Sequence, residues 1–249
     1  MQDKVVLITG GSRGIGAATA RLAASQGWRV CINYRKAHEE AENLVSEITR
    51  EGGNAFSIAA DISNEEEVER LFEAAFKQYG RLDALVNNAG IIDRQAKLVD
   101  MRGARLQRMF NTNILGSFLC AREAIKRMSI QQQGAGGGIV NLSSSASRLG
   151  SPGEFIDYAA SKGAIDTMTI GLSKEVAEAG IRVNAVRPGL IDTDIHQDAG
   201  DVNRPEKLRH AIPMKRPGSA QEVASTIMWL LSDEASYITG ALIDVSGGR

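Results

Sequence analysis

The sequence predicts an α/β fold in which one doubly wound, parallel, seven-stranded sheet carries helices on both faces. Two observations lead there. Seven short β-type runs recur along the 249 residues, and most of the stretches between them are long enough to hold a helix. Parallel strands require such crossovers, and strands covered on both faces read as continuous apolar runs. No repeat of solenoid length and no Pro/Ser-rich linker divides the chain, so residues 1–249 are expected to form a single domain.

The first run is Val5-Val6-Leu7-Ile8. Thr9-Gly10-Gly11-Ser12-Arg13-Gly14-Ile15-Gly16 follows, and then an Ala-rich helical segment over 17–26. Strand, glycine turn and helix in that order set backbone N–H groups and the positive end of a helix dipole against a pyrophosphate, the arrangement of a Rossmann-type dinucleotide site. On this reading Gly10 permits the tight turn, Gly14 the approach of the phosphates and Gly16 the close packing of helix on strand. Ser12, Arg13 and Ile15 complete the cofactor loop.

The second run, Val30-Cys31-Ile32, continues into Asn33-Tyr34-Arg35. A third, Ala55-Phe56-Ser57-Ile58-Ala59, leads to Asp61-Ile62 and a helix over 63–79, where Ser63 and Glu66 satisfy a capping box and Val68, Leu71, Phe72, Ala75 and Phe76 repeat at helical spacing. Leu85-Val86 forms the fourth strand, ahead of Asn87-Asn88-Ala89-Gly90. The glycine-rich stretch over 131–138 precedes a strand and not a helix, so it reads as a plain surface loop. Ile139-Val140-Asn141-Leu142 closes on Ser143-Ser144-Ser145, Val183-Asn184-Ala185-Val186 on Pro188-Gly189, and Leu242-Ile243-Asp244-Val245 is the last strand. The irregular region over 189–217, with Pro188, Pro205, Pro213 and Pro217 at or near its edges, is expected to form a lid.

Composition excludes several functions. With 29 basic and 30 acidic side chains, nothing attracts the chain to nucleic acid or an anionic membrane. The two cysteines, Cys31 and Cys120, cannot build a disulfide framework or a zinc site, and His38, His196 and His210 lack metal-ligand spacing, so each reads as a solvated side chain and no metal is expected. Without a signal-peptide pattern or an apolar run of about 18 residues, a soluble cytoplasmic protein is expected.

The spacing Gly10-x-x-x-Gly14-x-Gly16, Asn87-Asn88-Ala89-Gly90 after the fourth strand, Tyr158-Ala159-Ala160-Ser161-Lys162 opening a helix, and Pro188-Gly189 together resemble the short-chain dehydrogenase/reductase family, over nearly the whole chain. Within it, the resemblance is to the bacterial branch of 3-oxoacyl-carrier-protein reductases and glucose 1-dehydrogenases. It implies hydride transfer between a nicotinamide and a small-molecule carbonyl or secondary-alcohol substrate, and a homotetramer. It also implies that Asp61 and Ile62 contact the adenine, that Asn88, Ala89 and Gly90 line the cofactor cleft, and that Pro188, Gly189, Ile191 and Thr193 bound the nicotinamide. From its local sequence alone, Asp61 reads equally as a turn residue.

At the end of the second strand a carboxylate would bind the ribose 2′-hydroxyl, but Tyr34 stands there with Arg35 after it. Arg35 and Arg13 suit a 2′-phosphate, so NADP(H) is favoured over NAD(H), with use of both allowed. Tyr158 and Lys162, four apart on a helix, share a face. A neighbouring ammonium favours the phenolate and lowers a tyrosine pKa, which makes Tyr158 the general acid/base; Lys162 also binds the nicotinamide ribose by resemblance. Ser144 is the preferred carbonyl-polarising hydroxyl, on strand alignment, with Ser145 the rival by family spacing. Asn113 matches the family asparagine that supports a proton path to the lysine, with Asn111 its rival. Asp192, Asp194, Asp198 and Asp201 read as a solvated acidic lid or as partners of a polyhydroxylated substrate. The alternatives are a sugar dehydrogenase of the glucose 1-type and a non-catalytic NADP-binding sensor.

Overall fold

The computed structural model describes residues 4–193, 195–201 and 203–249, with the side chains of His196 and Asp198 left out; Asp194 lies outside the described residues, as do those two side chains. The chain runs β1 (Val5–Ile8), α1 (Gly14–Ser25), β2 (Arg29–Tyr34), α2 (His38–Arg50), β3 (Asn54–Ala59), α3 (Glu65–Tyr79), β4 (Ala84–Asn87), α4 (Gly103–Phe110), a π-turn (Asn111–Leu115), α5 (Gly116–Met128) and β5 (Gly137–Leu142). It continues through α6 (Ala146–Leu149), α7 (Ile156–Glu175), β6 (Ile181–Pro188), β7 (Ile191–Asp192), α8 (Ile195–Asp198), α9 (Arg204–Lys207), β8 (Gly218–Ser219), α10 (Ala220–Leu231) and β9 (Leu242–Val245).

Seven strands form one parallel sheet in the order β3-β2-β1-β4-β5-β6-β9, the Rossmann-like arrangement expected. Strand alternation explains the two layers. Val5 and Leu7 face one side, where Val68, Leu71 and Phe72 of α3, Cys120 and Ala124 of α5 and Ile165 of α7 pack on them. Val6 and Ile8 face the other, against Ala17 and Ala20 of α1, Leu44 and Ile48 of α2 and Val223 and Ile227 of α10. Both cysteines are buried in the first layer, and burial pushes their thiols up. Among the described residues, no helix is long and apolar enough to cross a membrane.

Three local expectations need correction. The cap of α3 is Asn64, whose side chain accepts from Glu67 N, and not Ser63. Asp61 has taken both Ser63 donors, its Oδ1 accepting from Ser63 N at 3.0 Å and Ser63 Oγ at 2.7 Å. The stretch over 131–138 is a surface loop only through Ala135; Gly136 and Gly138 are buried, and a Cβ on Gly137, at φ +152°, would lie 2.1 Å from Asp83 O, so these last glycines serve close backbone packing. The region over 189–217 is not wholly irregular, since Ile191–Asp192 pairs with Gly218–Ser219 and brackets two short helices.

Candidate functional site

The sheet order places β2 and β4 on either side of β1, so consecutive crossovers leave in opposite directions and a crevice opens at the carboxyl ends of the strands. That crevice is a cleft of about 860 Å³. At one end lies the glycine turn. A Cβ on Gly10, at φ +59°, would sit 2.9 Å from Ala89 Cα, and one on Gly16 would sit 2.6 Å from Gly10 O. Asn88 holds the turn by donating its Nδ2 to Thr9 O at 2.9 Å and Gly10 O at 2.8 Å, while Thr9 Oγ1 accepts from the Asn88 and Ala89 amides. Ser12, Arg13, Gly14 and Ile15 line the cleft, and α1 starts at Gly14 with no acidic side chain in its first turn. A pyrophosphate therefore fits this cradle: glycine gives it room, and the helix end is not neutralised from within.

Beside the turn, Tyr34, Arg35 and Lys36 form the cleft edge at the end of β2. Arg35 Nη1 lies 3.5 Å from Asp61 Oδ2. Burial works to raise the Asp61 pKa, but the Ser63 hydrogen bonds and Arg35 together hold it below the usual carboxylate value. Asp61 thus makes the local turn and also lines a smaller recess with Arg35, Lys36 and Arg108. The Ile62 side chain is buried in the core against Gly116 and does not line the cleft. His38, although exposed, shares a 2.7 Å hydrogen bond with the Tyr34 hydroxyl.

At the other end, Ser143, Ser144, Ser145, Tyr158 and Lys162 converge. Lys162 Nζ donates to Leu142 O at 2.6 Å and lies 5.6 Å from the centroid of the Tyr158 ring. Burial lowers the Lys162 pKa to about 8, against a raising influence from Asp166. Burial also raises the Tyr158 phenol, and the opposing pull comes from its hydrogen bond with Ser144 rather than from the lysine expected to supply it. Ser144 Oγ in turn accepts from Ala146 N at 3.1 Å. Ser143 Oγ is turned inward onto Lys162 O, and Ser145 N donates to Pro188 O. Asn113 is buried behind Gly90: its Oδ1 accepts from Ile91 N at 2.8 Å, and its Nδ2 donates to Ile91 O and Ser161 Oγ. Asn111 has its Oδ1 on Gln107 at the exposed side.

Ala89, Gly90, Pro188, Gly189, Ile191 and Thr193 also line the cleft, whereas Gly16 and Asn113 stand just behind its wall. Sequence reasoning did not single out Phe155, Arg204, Arg108 or Thr112, which line it too. Arg204 of α9 donates to both carboxylate oxygens of Glu154, at 2.5 and 3.3 Å, and stacks 5.0 Å above the Phe155 ring. These two residues lie fifty and forty-nine positions from Arg204, and no local pattern announces the contact. Of the acidic residues over 189–217, Asp192 is exposed and Asp201 accepts from Lys207 at 2.7 Å. Among the described residues, no three His, Cys, Asp or Glu gather as metal ligands.

The chain matches the family described as Enoyl-(Acyl carrier protein) reductase over residues 10–249. It is 53% identical over 245 residues to Uncharacterized oxidoreductase YgfF of Escherichia coli K12, covering 98% of this chain and 99% of that protein. It is 39% identical to the 3-oxoacyl-[acyl-carrier-protein] reductase FabG of Staphylococcus aureus, covering 98% of this chain and 97% of that one. The chain belongs to the short-chain dehydrogenase/reductase family. Solved short-chain dehydrogenase/reductase structures agree. A dehydrogenase/reductase from Sinorhizobium meliloti 1021 superposes with a TM-score of 0.92 at 33% identity, covering 100% of this chain and 95% of that one. A 3-ketoacyl-(acyl-carrier-protein) reductase from Brucella melitensis, complexed with NADH, gives 0.92 at 34% identity, with 100% and 98% covered. As a short-chain dehydrogenase/reductase, the protein is an NAD(P)-dependent oxidoreductase acting on CH–OH/C=O groups.

Proposed function

We infer that this enzyme moves hydride between NADP(H) and a carbonyl or secondary-alcohol carbon, with Tyr158 exchanging the proton. The observation that carries the reading is the convergence of Tyr158, Ser144 and Lys162 at one end of a cleft whose other end is the glycine turn edged by Arg13, Arg35 and Lys36. Bound along that cleft, the nicotinamide supplies hydride in reduction and accepts it in oxidation.

In reduction, Ser144 donates to the substrate oxygen and stabilises the negative charge that develops there. Tyr158 gives its phenolic proton to the same oxygen. Burial raises its pKa, so the phenol holds its proton at neutral pH until the substrate oxygen takes it. Lys162, fixed by Leu142 O, holds a positive charge beside the phenolate that forms and offers donors to a ribose hydroxyl. In oxidation the proton runs back, so the phenolate must form first and the rate should rise toward alkaline pH. Asn113 anchors the loop carrying Ala89 and Gly90 to the π-turn through Ile91, a positioning task its hydrogen bonds support better than a relay.

NADP(H) is favoured because Tyr34, Arg35 and Lys36 stand at the end of β2 where a carboxylate would bind the ribose 2′-hydroxyl, with Arg13 in the glycine turn lining the same cleft, and NAD(H) is the second possibility. Exposed Leu115, Phe118, Ile156 and Ile170 on the π-turn, α5 and α7 support the homotetramer. The deciding experiment is NADPH and NADH oxidation against α- and β-dicarbonyls, 3-oxoacyl and enoyl thioesters and quinones, with the reverse reaction on sugars and secondary alcohols. Expected are turnover preferring NADPH, loss of that preference in Arg35→Ala, and a fall of about 10²–10⁴-fold in Tyr158→Phe with cofactor binding retained. NADPH binding without turnover of any carbonyl or alcohol would move the protein to the sensor reading.

A further inference from the structure

Tyr158 stands in the first turn of α7, where helix N–H groups lack intrahelical acceptors and fraying begins. Phe155, at the N-cap position, gives that turn no side-chain acceptor. The turn is held from the side instead. Asp157, adjacent to Tyr158, has a side chain with 0% exposure, and its carboxylate oxygens accept from Arg105 Nε at 2.8 Å and Arg105 Nη2 at 3.2 Å. Arg105 comes from α4, is itself 13% exposed, and donates Nη1 to Arg94 O at 2.6 Å. One guanidinium therefore ties the segment after β4, helix α4 and the turn carrying Tyr158. Helix α4 runs on into the π-turn that holds Asn113, so the tether also joins the two walls of the reaction end.

A buried ion pair is a weak way to stabilise a fold, since well-packed apolar side chains of similar volume often do as well. What a forked guanidinium adds is direction: two parallel hydrogen bonds fix the plane and the distance of the carboxylate. Neither Arg105 nor Asp157 lines the cleft. We propose that Arg105 and Asp157 are positioning residues that fix the first turn of α7 against α4, so that the Tyr158 hydroxyl meets the substrate oxygen beside Ser144. The proposal rests on Tyr158 being the acid/base.

The test uses the full-length enzyme with NADPH, acetoacetyl-coenzyme A as the carbonyl probe, and hydrogen exchange of the backbone amides over 155–160. Removing one partner leaves a buried charge alone and endangers folding, so the main variant is the double change Arg105→Met with Asp157→Leu. It should fold and bind NADPH about as wild type does, exchange faster over 155–160, and lose about 10- to 100-fold in kcat with little change in KM, the signature of a misplaced reacting group. Arg105→Lys, which keeps the charge and loses the fork, should fall between the two. A folded double variant with wild-type kcat overturns the proposal, as does a kcat loss matched by an equal loss of NADPH affinity. If acetoacetyl-coenzyme A is not turned over by the wild type, unchanged exchange over 155–160 in the double variant overturns it, and faster exchange confined to those amides supports it. Tyr158→Phe separates the two levels: full turnover in that variant sinks the acid/base assignment, whatever the tether does.

Discussion

Lys162 carries its ammonium into the wall of the cleft, where burial brings its pKa from the ordinary 10.5 down to about 8 and Asp166 works in the other direction. A lysine whose folded pKa lies below its unfolded one destabilises the fold by about 3 kcal/mol below pH 8, and the penalty fades as pH rises from about 8 to 10.5. Against this stands one hydrogen bond to Leu142 O, whose loss would leave a buried carbonyl unpaired at a cost of about 1–3 kcal/mol. Lys162→Met should therefore melt slightly higher than wild type near pH 7 and lower than wild type near pH 10. Melting curves of the cofactor-free proteins at both pH values check this, and a difference that does not change with pH would show that burial is not what depresses the lysine. Tyr158 and Lys162 could be singled out in the sequence because they share a helix face among several motifs in one order, and Ser144 by the alignment of its strand, with Ser145 the rival by spacing. Arg105 and Arg204 were not, because each finds its carboxylate about fifty residues away, and only the folded chain makes that pair.

Elements show the same division. The central strands could be read because parallel strands covered on both faces are short apolar runs, as Val5–Ile8 and residues 84–86 are, with every residue buried. The start of α3 was misread by one residue because Ser63 with Glu66 and Asn64 with Glu67 satisfy the same pattern; the choice was made by Asp61, which had already bound Ser63. Helices α8 and α9, four residues each, are too short to show a period at all. Yet α9 supplies the grip of Arg204 on Glu154 and Phe155, which straps the segment between β7 and β8 to the loop ahead of Tyr158. Loosening that strap should act on substrate and not on cofactor. Glu154→Gln is expected to lower kcat/KM for a small carbonyl about three- to thirtyfold, as befits one charged hydrogen bond, with NADPH affinity unchanged. Steady-state kinetics and a fluorescence titration read the two quantities separately, and a weakened cofactor would place the strap's effect elsewhere.

For the whole molecule, the exposed apolar residues of the π-turn, α5 and α7 bear on the homotetramer proposed for this chain. Light scattering should report about four times the 26.7 kDa chain mass, and Phe118→Glu with Ile170→Glu should yield a smaller species without unfolding the chain. A monomeric wild type would overturn that assembly. The strand order has a consequence of a different kind, concerning how the protein is made. β1 is synthesised first and ends near the middle of the sheet; β2 and then β3 add outward on one side, and β4, β5, β6 and β9 add outward on the other. No strand ever has to be inserted between two that are already paired. If the strands join in chain order, each new strand meets a paired neighbour on one side and open space on the other. The second edge of β1 is then the one that Ala84–Asn87 takes, where the Asp83 carboxylate accepts from Val5 N across the middle of the sheet.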